Sequence, residues 1–215
     1  MSPMYKIDTD KLEEGLLVTG RSNKSAFGAA IRLGVHSWNN HNAMVVKATE
    51  QAVQYLEELK ILGPDHGIEP GDLCIAEAEP PFSTLTPISE YEKMMNEDDY
   101  MVGFYRHMTL TDAQHKQAAE YFVRFLLGLP YPPKSRMLVL AMPFYNMLAD
   151  KGKIIPSIRM NWCSQLDKRA YLSVDPDCLD GIDGKKKNLF SPKTFDNRIL
   201  QHVFLDISDL IIKRA

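Results

Sequence analysis

Short apolar runs separated by polar, turn-rich stretches set the reading of this chain. Residues 16–18 are apolar and stop at Gly20, which predicts a strand. Ser22 stands as the N-cap of a short helix over about 24–33, closed by Gly34. A polar loop then runs from His36 to Asn42 into the dense apolar run 43–46, which predicts a buried strand. Over 49–62 the spacing of Ala52, Val53, Leu56, Leu59 and Ile61 predicts an amphipathic helix, closed by a loop over 63–67. A strand is predicted over 72–78, ended by Pro80-Pro81, then a short helix over 88–95 and a strand over 100–106. Thr111 or Asp112 caps the clearest helix, about 112–127, with Gly128 and Pro130 as stop signals. The apolar run 137–147 fits helix or strand. A helix over 162–171 and a strand over 203–207 complete the set. Helices and strands mix without regular βαβ alternation, and no repeat of 20–50 residues is visible. The expected fold is α+β with a small, mostly antiparallel sheet and packed helices.

Composition narrows the function classes. The 215 residues are expected to form one domain over 1–215, and 45% of them are hydrophobic, enough to build a core without staples. The net charge of −3 argues against a protein that works by neutralising phosphates, so no nucleic-acid partner is expected. The one basic run, Lys185-Lys186-Lys187, reads as a solvated turn. Three cysteines make no disulfide framework, which points to a reducing compartment. No apolar N-terminal segment resembles a secretory signal, and no apolar run nears the roughly 20 residues of a membrane helix. The expected location is the cytoplasm, with a phage or viral source compatible.

Three residues carry candidate chemistry. Glu77 sits in the apolar stretch Leu73-Cys-Ile-Ala-Glu-Ala78, where a carboxylate is costly unless a partner meets it. Period-two alternation groups it with Ile75 and Glu79, away from Cys74, Ala76 and Ala78. Taken alone, it also fits an edge strand facing water. His41 stands at the mouth of the strand over 43–46 and also fits a loop histidine capping a turn. Cys163, in Asn161-Trp-Cys-Ser-Gln-Leu-Asp167, would meet unpaired backbone N–H groups if a helix starts there, and that end favours thiolate. It also fits an inert buried thiol. Cys74 reads as such a thiol, and Cys178 lies in an acidic loop that raises a thiol pKa. His36 is five residues from His41, and His66, His107, His115 and His202 are scattered, so there is no zinc signature; no metal or cofactor is expected.

Together these residues carry a resemblance. Leu16-Leu-Val-Thr-Gly-Arg-Ser22 and Asn40-His-Asn-Ala-Met-Val-Val46 resemble the opening of the permuted papain-fold enzymes of the NlpC/P60 superfamily, the YiiX/YaeF-like branch. There, a histidine before a hydrophobic run is catalytic, which implies that role for His41. An apolar strand with a central glutamate before proline follows, and Ile75-Ala-Glu-Ala-Glu-Pro80 is similar, which implies the role for Glu77. Gly128-Leu-Pro-Tyr131 resembles the group's Gly-x-Pro-Tyr. Trp162-Cys163-Ser164-Gln165 resembles its aromatic-Cys-Ser-Glu nucleophile motif, with Gln165 in place of the glutamate. Ser191-Pro192 resembles the start of its late helix. The similarity covers about residues 12–207, with residues 48–70 as an insertion. Ordinary papain-like enzymes run Cys before His, whereas the permuted group runs His first, as here.

The resemblance implies a circularly permuted papain-like fold and a cysteine hydrolase, an amidase, peptidase or acyl-transfer enzyme. Cys163 is then the nucleophile, His41 the base and Glu77 the residue that orients it. The partner would be a small-molecule, peptide or lipid substrate. The competing class is a binding or interaction protein on a decayed papain-like scaffold; a redox thiol protein lacks the Cys-x-x-Cys pair it would need.

Overall fold

The computed structural model describes residues 4–22, 41–97, 100–131, 163–179 and 203–214. The expected helix over 24–33, the run 137–147 and the Ser191-Pro192 motif lie outside them. The described elements are β1 (Tyr5–Ile7), β2 (Leu17–Ser22), β3 (His41–Lys47), α1 (Glu50–Glu58), β4 (Leu73–Glu79), β5 (Phe82–Pro87), α2 (Ile88–Glu97), β6 (Tyr100–His107), α3 (Asp112–Phe125), α4 (Cys163–Val174), β7 (Phe204–Asp206), α5 (Ser208–Ile211) and β8 (Ile212–Arg214). This is the mixed α+β architecture with an antiparallel sheet that the pattern predicts.

Six strands form one sheet in the order β5-β4-β3-β2-β6-β7, and β1 pairs with β8 in a separate two-stranded ribbon. Every neighbouring pair is antiparallel. The central strands are apolar on both faces because helices cover both. Leu17, Met44, Val46 and Ala76 pack against Ala118, Phe122, Leu166 and Ala170 of α3 and α4. Val18, Ala43, Val45, Ile75 and Phe104 pack against Ile88, Tyr91 and Met95 of α2. Burying each large apolar side chain is worth about 1.5–3 kcal/mol, so two such layers clamp β3 and β4 and fix their register. A one-residue slip would turn each face to the wrong layer. Ala43 therefore lies opposite Glu77, and Gly20 opposite His41.

Boundaries differ from the sequence reading where local chemistry overrides periodicity. Helix α1 stops at Glu58 rather than near 62, because Lys60 takes a left-handed φ of 57°. The Ile61 N–H then bonds the Leu56 carbonyl at 2.9 Å and the Lys60 N–H bonds that of Glu57 at 2.8 Å, a Schellman closure. Thr49 caps its start, bonding the Ala52 N–H at 3.2 Å. In α3, Thr111 and Gln114 form a reciprocal capping box. Strand β5 follows Pro81 directly, where the residue pattern predicts no strand, because Ser83, Thr84 and Thr86 mask its apolar signal. The alternative reading of Glu77 as an edge-strand residue facing water does not hold. β4 lies between β3 and β5, and Glu77 is only 5% exposed. No helix among the described residues is long and apolar enough to cross a membrane.

Candidate active site

Three elements bring the candidate residues to one end of the sheet. His41 opens β3, Glu77 lies across from Ala43 on the neighbouring β4, and Cys163 is the first residue of α4. Antiparallel pairing of β3 with β4 turns 36 residues of sequence separation into a direct contact. His41 Nε2 lies 2.5 Å from Glu77 Oε2. The His41 side chain also hydrogen-bonds Cys163. With Nε2 committed to the carboxylate, Nδ1 is the nitrogen left for the thiol. All three residues singled out in the sequence are thus joined in one Cys–His–Glu chain.

Glu77 is held by more than the histidine. Tyr91 donates its hydroxyl to Oε2 at 2.8 Å, and Thr86 donates its hydroxyl to Oε1. Burial alone would push the Glu77 carboxyl up. The hydrogen bond and charge of His41, with the Thr86 and Tyr91 hydroxyls, overcome this and hold it below the usual carboxylate value. His41 shows the converse balance. Burial would lower its pKa, but the hydrogen bonds to Cys163 and Glu77 raise it well above 6.5. The arrangement favours an imidazolium beside an ionised Glu77. The His41 side chain keeps 18% of its surface, so the centre is not sealed.

Cys163 is itself 8% exposed. As the first residue of a 12-residue helix, it sits where backbone N–H groups have no intrahelical partner and the helix end is positive. No acidic residue stands in that first turn. The other thiols fit the quieter role: Cys74 is buried and pushed up to about 12, and Cys178 is buried too.

Sequence reasoning missed several members of this neighbourhood. Tyr91 reads as core, because Ile88, Tyr91 and Met95 form one helical stripe. Thr86 lay in the strand that went unread. Tyr100 stacks edge-on against Tyr91, with ring centroids 6.2 Å apart. Burial and the negative charges of Glu77, Cys163 and Glu79 push its phenol up to about 12, against the pull of His41. Burial likewise pushes up Tyr131, with a charge on Cys163 adding to it. Asp167 had a usable signal, being four residues past Cys163 and hence on the same helix face. It is fully buried with neither carboxyl oxygen bonded, and burial, then the charge of Cys163, raises its pKa well above the ordinary value.

Among the described residues no group of three or more His, Cys, Asp or Glu side chains is placed to hold a metal ion. Chemically, the site joins a thiol, a base and an orienting carboxylate at a helix start, the parts that nucleophilic acyl transfer uses. No family model matches the chain, and no curated protein matches it in sequence.

Proposed function

We propose that this chain is a cysteine hydrolase or related acyl-transfer enzyme acting on an amide or ester. In this reading Cys163 attacks the carbonyl carbon as thiolate, and His41 holds the thiol proton on Nδ1 and delivers it to the leaving group. Glu77 accepts the Nε2 proton in a hydrogen bond, which fixes the tautomer and stabilises the imidazolium. The Cys163 N–H supplies one donor to the developing oxyanion. Water or another acceptor then cleaves the thioester.

One observation carries the reading: a single imidazole bonded to both Cys163 and Glu77, with Cys163 starting a helix. The chain order His, Glu, Cys and the antiparallel sheet support the YiiX/YaeF-like, permuted papain-like assignment within the NlpC/P60 superfamily. The test is the alkylation rate of Cys74, Cys163 and Cys178 against pH, resolved by mass spectrometry. Cys163 should react fastest, at a pH well below the ordinary thiol value of about 8.5, and His41→Ala should remove that advantage. If Cys163 reacts no faster than its neighbours in the native protein, the protein is a binding module on this scaffold instead.

A further inference from the structure

Gly20 lies directly across from His41 in the β2–β3 pairing. A β-carbon at Gly20 would overlap the Tyr100 hydroxyl and come within 2.7 Å of its Cζ. The missing side chain is therefore the seat of a phenol oxygen. Directly opposed β-carbons in an antiparallel pair are about 4.5–5.5 Å apart, so that oxygen stands beside the His41 side chain. Tyr100 reaches this seat from β6, where it shares a face with Val102 and Phe104, and its ring rests edge-on against Tyr91.

The Tyr100 hydroxyl has no hydrogen-bond partner among the described residues, unlike Tyr91, which is committed to Glu77. It is not among the fully buried, unbonded polar atoms either. A donor held by a glycine seat and left unbonded beside the histidine of the site is placed to meet a bound substrate. We propose that the Tyr100 hydroxyl is the second oxyanion donor, hydrogen-bonding the carbonyl oxygen of an acyl substrate while Cys163 attacks. This rests on the acyl-transfer reading of the site. In the step, the Cys163 sulfur bonds the carbonyl carbon and the carbonyl π electrons move to oxygen. Tyr100 donates a hydrogen bond to that oxygen without giving up its proton. The oxygen then re-forms the carbonyl and expels the leaving group, so that the acyl group stays on sulfur. The raised phenol pKa keeps the donor protonated throughout.

The test compares two reactions of the same thiol. p-Nitrophenyl acetate forms an oxyanion when it acetylates Cys163, and its leaving group needs no proton. Iodoacetamide alkylates the same sulfur by displacement at a saturated carbon and forms none. Tyr100→Phe keeps the ring and removes only the hydroxyl. It should slow acetylation about 100-fold, the scale for losing one oxyanion donor, while alkylation keeps the native rate and pH midpoint. Gly20→Ala, which evicts the hydroxyl, should show the same selective loss. Tyr131→Phe should lose less than Tyr100→Phe. The proposal is overturned if Tyr100→Phe acetylates at the native rate, if it loses alkylation in parallel, or if the larger loss falls on Tyr131→Phe. Failure of the underlying reading looks different: native Cys163 would be neither acetylated nor alkylated faster than Cys74, and the donor role would fall with it.

Discussion

Two of the histidine centres among the described residues are built from similar parts to opposite effect. In one, His41 meets the side chains of Glu77 and Cys163, and Tyr91 backs the carboxylate. In the other, His115 places Nδ1 3.1 Å from the Gly15 carbonyl oxygen and Nε2 3.1 Å from that of His107. There Tyr171 donates to the same Gly15 oxygen at 2.8 Å, and His107 Nε2 lies 2.8 Å from the Cys178 carbonyl oxygen. Backbone carbonyls can only accept, and they cannot take up a proton or a substrate. Side-chain thiols and carboxylates can trade charge. The second centre ties α3, β6, α4 and the turn before β2 together, and Gly15 is needed there because a β-carbon would run into the His115 backbone at 2.6 Å. The first stands at a strand start and a helix start, with part of its imidazole open. A buried histidine is thus read by what faces its two nitrogens, not by its burial.

That contrast breaks most sharply at the two histidines. His41→Ala should cut Cys163 alkylation near pH 6 by about 100-fold or more, the range for a lost acid–base partner, and it should also lower melting because it leaves the buried Glu77 carboxylate short of its main partner. His115→Leu should spare alkylation. It leaves carbonyls short of donors and should cost about 2–4 kcal/mol of stability by urea unfolding, while Cys163 in the folded fraction keeps its pH profile. A shift of that profile in His115→Leu would show that the two centres are coupled.

Asp167 sharpens the comparison on the stability side. Folding raises its proton affinity through burial and the charge on Cys163. The folded state therefore loses stability as pH climbs from the ordinary carboxyl value, about 3.9, toward the folded one. Asp167→Asn escapes that loss. It should exceed the native protein by about 1–3 kcal/mol at pH 7, and the two should converge near pH 3, where both side chains are neutral. Equal urea midpoints at pH 7 would contradict this account of Asp167.

The smallest effect is expected at the paired tyrosines. Tyr91→Phe removes one of three donors to Glu77, worth about 1.5–3 kcal/mol for a hydrogen bond to a charged group before the others compensate. It should raise the Glu77 pKa, weaken its hold on His41, and move the Cys163 alkylation midpoint upward by less than one unit. Tyr171→Phe should lower stability by about 1 kcal/mol and leave that midpoint unmoved. The same midpoint in Tyr91→Phe and the native protein would remove Tyr91 from the chain that activates the thiol.

Much of the centre was legible because its members break their local pattern. Glu77 interrupts an apolar strand, His41 precedes one, and Cys163 begins a helical run. Period-two alternation correctly grouped Glu77 with Ile75. The supporting residues were illegible for the opposite reason. Tyr91 keeps the helical stripe of a core residue, and only the fold shows its hydroxyl turned onto a carboxylate. Thr86 sits in a strand whose hydroxyl-rich sequence hides it. Gly20 read as a strand stop, whereas β2 runs through it to Ser22 and uses its missing side chain to seat Tyr100. The β1–β8 ribbon joins segments near the two ends of the described chain, a pairing that no local pattern encodes.

The central claim is a Cys163 thiolate paired with a His41 imidazolium in the resting protein. Thiolate absorbs in the ultraviolet where thiol does not, so the difference titration of the native protein against Cys163→Ser reads that residue alone. The account predicts a thiolate that appears well below the ordinary thiol value of about 8.5 and moves back toward it in His41→Ala. A Cys163 that ionises at or above the ordinary value in the native protein, with no change in His41→Ala, would contradict it.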